Sequence, residues 1–274
     1  MRSKGIAIPY VVWMAIFVVA PLIVVLVYAF TQELPDGTWH STLENFSGMA
    51  GYLSVFGRSF LLAFVATVVC ILLGYPMAYF LARERGRLRQ MATMLIMLPM
   101  WMNFLLRTYS WVFLLERNGF FNTLLETIGL PKLDIIDTQG AVVLGMVYNF
   151  LPFMVLPIFS VIEKMDHRLI EAAQDLGANS AQVFRRVIFP LSLPGVLSGV
   201  TMVFIPSVST FVISRLLGGG KSLLLGDLIE MQFLGSAYNP HLGSAISLVM
   251  MVIVLVSMGI MNRFGEGEGE AVVL

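Results

Sequence analysis

Hydrophobic residues gather into six long runs along this chain, at approximately 8–30, 59–81, 92–115, 139–162, 195–214 and 244–261, and nearly all the charges fall between them. The hydrocarbon core of a bilayer is about 30 Å thick and takes about 20 helical residues to cross. Each run therefore predicts one membrane-spanning helix, and the chain is expected to be an all-α integral membrane protein, a single domain over residues 1–274. The first run follows Arg2 and Lys4, as a secretory leader would, but it continues from about residue 6 to residue 30 with no small-x-small cleavage pattern behind it. Signal cores are about 7 to 15 residues long, so this run reads as a first span. Pro21, Pro76, Pro99, Pro152, Pro157 and Pro206 lie inside or beside the runs. Each removes a backbone hydrogen bond and invites a kink, either as ordinary packing irregularity or in the lining of a pathway.

Composition agrees with the pattern. Of the 274 residues 58% are hydrophobic and 12% charged, with a mean hydropathy of +0.84, which is more apolar surface than one soluble core can hide. A formal net charge of zero argues against a nucleic-acid partner. Cys70 stands alone inside an apolar run, so the chain has no intrachain disulfide and no cysteine-based metal site. The placement of the charges says more than their sum. Arg2, Lys4, Arg83, Arg85, Arg87, Arg89, Lys164, Arg168, Arg185, Arg186 and Arg263 fall on one side of the six runs; Arg58, Arg117, Lys132, Arg215 and Lys221 fall on the other, and Arg107 lies within the third run. The basic excess marks the cytoplasmic side, so both termini and the connection 164–194 are expected in the cytoplasm. Residues 265–270 alternate glycine and glutamate and read as a flexible acidic end. No internal repeat is evident.

The connection 164–194 is the longest on the cytoplasmic side, and long loops without structure are uncommon unless they serve a function. Asp166 predicts the cap of a helix through Leu169, Ile170, Ala173 and Leu176, with Gly177 at its end. Asn179 or Ser180 then caps a second short helix through Val183, Phe184 and Val187, with Pro190 as its stop. The result is a helix-turn-helix bracket on the membrane surface. Ala172, Ala173, Gly177 and Ala178 leave it open to close approach by another protein, and Arg185 and Arg186 supply anchoring charge.

Glu171-Ala172-Ala173, Gly177 after three further residues, and Val187-Ile188-Phe189-Pro190 after nine more resemble the EAA motif of ABC-importer permeases, with every spacing kept. The departures, Val187 for isoleucine and Phe189 for leucine, preserve the apolar pattern. The resemblance implies that this segment is the coupling helix that fits a groove on a separate ATPase, with Glu171, Ala172, Ala173, Asp175, Gly177, Arg185, Arg186 and Pro190 as its coupling residues. Leu106-Arg107-Thr108-Tyr109-Ser110-Trp111, Leu151-Pro152-Phe153-Met154, Asp175-Leu176-Gly177-Ala178 and Leu216-Leu217-Gly218-Gly219-Gly220 extend the likeness over nearly the whole chain. They are similar to the first permease subunit of spermidine/putrescine importers. What the likeness implies is a type I ABC importer permease fold with six transmembrane helices, located in a bacterial inner membrane. It also implies a second homologous permease, two ATPase subunits that hold ATP and Mg, and an extracytoplasmic solute-binding protein. This chain would then carry no cofactor, no metal and no catalytic residue, and would move polyamines inward by alternating access.

Gly218-Gly219-Gly220-Lys221-Ser222 imitates the end of a phosphate-binding loop, but Arg215 stands where that pattern needs its first glycine, and no strand precedes it. It reads as a turn into the apolar stretch 223–234, expected to form an external helix. Candidate solute contacts are Trp101, Asn103, Arg107, Tyr109, Trp111, Tyr148 and Asn149, polar or aromatic residues among apolar neighbours in the third and fourth runs. Arg107 is either a functional polar contact facing the bundle interior or an arginine that holds neighbouring carbonyls or snorkels outward. The aromatic rings either attract alkylammonium groups by cation–π contact or simply pack. No carboxylate lies within the six runs; Glu116, Asp227 and Glu230 near the outer face either help receive a cation or are solvated surface charge. An ion-coupled secondary transporter would call for an intramembrane acid or histidine relay and inverted repeats, and the runs contain neither. An intramembrane enzyme finds no constellation, because His40, His167 and His241 all fall in loops. A permease for another small solute, such as ferric ion, sulfate or an aminophosphonate, is the alternative within the same family.

Overall fold

The computed structural model describes residues 8–34, 37–220, 223–235 and 237–269; Arg2, Lys4, Lys221, Ser222 and Glu270 lie outside the described residues. Helix α1 (Ile8–Ala29) is apolar on every face, and of its side chains only Ala29 is buried within the chain, as befits a helix solvated by lipid. It leads into a short antiparallel hairpin of β1 (Thr31–Glu33) and β2 (Trp39–Ser41), with Thr31 opposite Ser41. The all-α expectation omitted this hairpin, since three-residue strands leave no periodic trace. Buried Asn45 fastens it: its side-chain amide donates to Ala29 O at 3.0 Å and Thr31 O at 2.9 Å. Helix α2 (Glu44–Gly48) and a single tight turn then feed α3 (Leu53–Arg83), which is longer at both ends than the expected 59–81.

The third run is not one straight helix. Helix α4 (Arg87–Trp101) stops at Met102, and the chain restarts as α5 (Phe104–Leu115) and α6 (Phe120–Thr127), with a 96° bend between the two parts. Met102 and Asn103 take extended backbone, and Asn103 Oδ1 accepts from the amides of Leu105 and Leu106 at 2.9 and 3.3 Å. A new helix N-terminus is thus capped in the middle of an apolar run, four residues after Pro99 has already weakened the old helix. Helix α7 (Gln139–Glu163) matches the fourth run and is capped by Thr138. Among the described residues five helices are long and apolar enough to span a membrane, six if the bent pair counts as one.

After α8 (His167–Asp175) comes α9 (Ser180–Ser209), which corrects two expectations. The fifth span does not begin at residue 195, and Pro190 does not stop the second bracket helix; the bracket and the span are one continuous helix. A wide π turn at Phe184–Ile188 makes this possible, with Phe189 N–H reaching back five residues to Phe184 O. The widened turn takes up the proline ring that would otherwise collide with the preceding turn. The same device precedes Pro21 in α1, where Ala20 N–H reaches Ala15 O. At Thr210 the fifth run breaks, and α10 (Val212–Leu217) and α11 (Leu225–Leu234) follow before α12 (Pro240–Gly269). Residues 265–269, read above as a flexible tail, continue the backbone of α12.

Helices α3, α7 and α9 form the centre. Met146, Met154, Ile158 and Val203 are fully or almost fully buried there, joined by Ile213 and Leu217 of α10. In lipid, helices associate through close packing rather than through a hydrophobic drive, and small residues permit that packing. Gly195 and Gly199, spaced as glycine-x-x-x-glycine on α9, face α7 so closely that a Cβ at 199 would lie 2.7 Å from Met154 Sδ and 3.2 Å from its backbone, and one at 195 would lie 3.0 Å from the Ile158 Cα. Tyr75 Oη and Ser192 Oγ, 2.8 Å apart, tie α3 to the same helix.

Gly199→Val is expected to destabilise the purified permease by about 1–3 kcal/mol through overpacking, read as a lowered thermal midpoint in detergent. Gly259→Val, where nothing lies within 4 Å, should leave the midpoint nearly unchanged.

Candidate functional site

The bracket at residues 164–194 is built almost wholly from local hydrogen bonds. Asp166 Oδ1 accepts from Arg168 N at 3.0 Å and opens α8. The far end closes in a Schellman arrangement: Ala178 N donates to Ala173 O at 3.0 Å and Gly177 N to Gln174 O at 2.8 Å. Gly177 sits at φ +84°, in the left-handed region that favours glycine, with open space where a Cβ would be. Asn179, rather than Ser180, caps α9, and it does so reciprocally: Gln182 N donates to Asn179 Oδ1 and Asn179 N to Gln182 Oε1, both at 2.9 Å.

The bracket leaves most of the candidate coupling residues exposed. Glu171, Ala172, Asp175, Gly177, Arg185 and Arg186 are exposed, Ala173 and Pro190 half-buried, and Leu176 at the tip is 89% exposed. Among the described residues Glu171, Asp175, Arg185 and Arg186 form no ion pair. Beside the bracket, Arg89 in the first turn of α4 pairs with Glu163 at the end of α7 at 2.8 Å.

The candidate solute contacts separate into two groups. Arg107, Trp111 and Tyr148 come together: Trp111 and Tyr148 meet edge to face with centroids 5.2 Å apart, and the Arg107 guanidinium lies 6.0 Å from the Tyr148 centroid. Arg107 is only 7% exposed, and its Nη1 donates to Pro99 O, a carbonyl in the last turn of α4. It therefore holds a carbonyl across the 96° bend. A cation already beside Tyr148 weakens that ring as a stopping point for an ammonium group. Asn149 is buried and donates back to Gly145 O at 2.8 Å. Asn103 is occupied as the α5 cap, while Trp101 and Tyr109 are exposed, 74% and 45%, and make no ring contact with this group.

On the outer side the reading of three acids as solvated charge holds for one. Glu116 is exposed, and Glu230 pairs with Arg215. That hydrogen bond lowers the Glu230 carboxyl from its ordinary value and raises the Arg215 guanidinium. Asp227 is buried, the only buried carboxylate among the described residues. Its Oδ2 accepts from Ser214 Oγ at 2.6 Å and Leu224 N at 3.0 Å, which clasps α10 to α11, and Leu225 N donates to Ser59 Oγ of α3 at 2.8 Å. Burial raises the Asp227 carboxyl from its ordinary value, against the lowering effect of these hydrogen bonds. Sequence reasoning passed over Ser59, Ser214 and Asp227 as partners; the available signal was an aspartate three residues into an apolar helix from Leu224, where it can cap that helix.

The bundle thus carries two interrupted spans and a capped bracket between α7 and α9. Residues 71–266 match the family described as the inner membrane component of binding-protein-dependent transport systems, and the chain belongs to that family. It is 39% identical over 249 residues to the spermidine/putrescine transport system permease protein PotB of Haemophilus influenzae, covering 88% of this chain and 86% of the relative. It is 37% identical over 256 residues to the PotB of Escherichia coli K12, covering 91% of each. A chain of a bacterial ABC transporter that imports the acidic polysaccharide alginate shares the fold at a TM-score of 0.77 and 19% identity, over 96% of this chain and 94% of that one. The fold is that of a type I ABC importer permease, and the protein is a multi-pass inner-membrane one.

Two outcomes are expected from this geometry. Gly177→Ala should fray the last turn of α8 at a cost of about 1–2 kcal/mol, seen as faster amide exchange at Gly177 and Ala178, whereas Gly177→Asn should be milder because asparagine tolerates the left-handed region. At the Asp227 clasp, once the pH exceeds the ordinary aspartate value the unfolded carboxyl is ionised, and folding must take its proton back up or bury its charge, so the clasp weakens as pH rises from there through the raised folded value of Asp227. Asp227→Asn should remove that dependence, measured as pH-corrected amide exchange at Leu224 and Leu225.

Proposed function

We propose that this chain is the permease subunit of an ATP-driven, binding-protein-dependent importer that carries spermidine and putrescine into the cytoplasm. In this reading the chain performs no covalent chemistry. It works with a second homologous permease, two ATPase subunits that bind ATP and Mg, and an extracytoplasmic solute-binding protein that supplies most of the solute selection. The polyamine assignment is supported by 37–39% identity to spermidine/putrescine permeases over about nine tenths of the chain. The sidedness, with both termini and the bracket in the cytoplasm, is supported by the distribution of arginine and lysine.

The observation that carries the coupling half of the reading is Leu176, an apolar side chain left 89% exposed at the tip of a bracket whose backbone is fastened at both ends. Surface of that kind, beside unpaired charges of both signs, suits a protein partner. Closure of the ATPases on ATP moves the bracket, and the continuous α9 carries the displacement into the membrane, where the spans alternate between outward and inward access. Arg107 keeps the bend between α4 and α5 in shape during that motion.

Reconstituted with its partner subunits, the permease is expected to take up labelled spermidine only while ATP is hydrolysed; uptake without hydrolysis would sink the coupled-importer reading. Glu171→Lys is expected to lower transport and ATPase retention together by about tenfold or more.

A further inference from the structure

The bracket holds a cavity on the side of α8 opposite Glu171, lined in part by Ala173, Gly177 and Val187 of the EAA motif. It measures about 370 Å³ and lies in the angle between α8 and the start of α9, walled by Ala173, Gly177, Ala178 and Val183, with Leu176 on the rim and Arg186 along one side. Glu171 and Ala173 are two residues apart on one helix, about 200° around its axis, so the cavity faces away from Glu171. Its walls are fixed before any partner arrives. The Schellman closure sets Gly177 and Ala178, the reciprocal cap sets the first turn of α9, and Val183 at the floor is 2% exposed. A preformed cavity of small apolar residues spares a binding partner the entropy of shaping it.

Charge indicates the kind of occupant. Arg186 stands at the cavity side without an ion pair among the described residues, and none of Asp166, Glu171 and Asp175 neutralises it. The exposed Leu176 makes the rim continuous with the coupling face.

We propose that the cavity receives a leucine-sized or aromatic side chain projecting from the ATPase subunit, flanked there by a carboxylate that pairs with Arg186. Docking is then mutual: the bracket enters the ATPase, and a knob of the ATPase enters the bracket. The inference rests on the coupling reading above.

The test uses the burial of Cys70, the chain's own thiol. Ala178→Cys and Ala181→Cys permeases, each assembled with the second permease in vesicles, are treated with phenylmaleimide after folding and then titrated with ATPase. Position 178 lies inside the cavity; Ala181 is exposed and does not line it. The adduct at 178 is expected to weaken ATPase binding about tenfold or more, and the adduct at 181 to leave it near the unlabelled value. Arg186→Glu should weaken binding by a similar factor. Normal binding of the 178 adduct, or equal loss with both adducts, overturns the proposal. Glu171→Lys in the same titration separates the two levels. If it releases the ATPase while the 178 adduct binds normally, the coupling reading stands and the cavity is unused; if it binds normally, the coupling reading falls and this inference falls with it.

Discussion

Backbone lies against backbone where α7 and α9 cross, and the rest of the molecule is arranged around that approach. In lipid nothing squeezes two apolar helices together, so the attraction must come from atoms in contact over a long seam. Gly195 and Gly199 remove the side chains that would hold the helices apart, and Met154 and Ile158 lie directly on the exposed α9 backbone. Helix α3 closes on the same pair through Gly74, where a Cβ would meet the Met154 side chain at 2.9 Å, and through Tyr75 and Ser192. Since α9 runs unbroken from Ser180 to Ser209, the seam also ties the bracket to the centre of the membrane domain.

The outer half follows a different rule. There two runs break, at Met102–Asn103 and at Thr210–Phe211, and the segments beyond them are held by polar side chains rather than by helix continuity. Broken backbone inside a membrane domain is tolerated where side chains or neighbouring helices satisfy the freed groups. Asn103 satisfies two amides, Arg107 a carbonyl, Asp227 and Ser59 two more amides. The polar residues that looked available for a solute are thus largely engaged in keeping irregular backbone in place.

Most of the architecture was legible because a bilayer makes run length and charge placement such strong signals. The bracket was legible for another reason: Asp166, Gly177 and Asn179 act locally, through hydrogen bonds to residues two to five positions away, and local chemistry is written in local sequence. Pro190 was misread because proline's effect depends on what the neighbouring turn does, and a widened turn leaves no mark in composition; the third run was misread because Asn103 caps a new helix inside an unbroken apolar run. Arg107 offered two roles, and only the position of Pro99 across the bend decides between them. Asp227 escaped because its partner Ser214 lies in a different helix, and no periodicity connects them.

The π turn at Phe184–Ile188 has a further consequence. A π turn inserts one residue into the helical repeat, and one residue is about 100° of rotation on a helix of 3.6 residues per turn. Every side chain of α9 beyond Phe189 is therefore out of phase with those before it. A heptad drawn straight through the segment would put the two glycines on the wrong side. The extra residue turns Gly195 and Gly199 towards α7 while Val183 stays at the floor of the bracket. One helix thereby presents two unrelated faces to two unrelated neighbours, and deleting a single residue from that turn would misalign one of them.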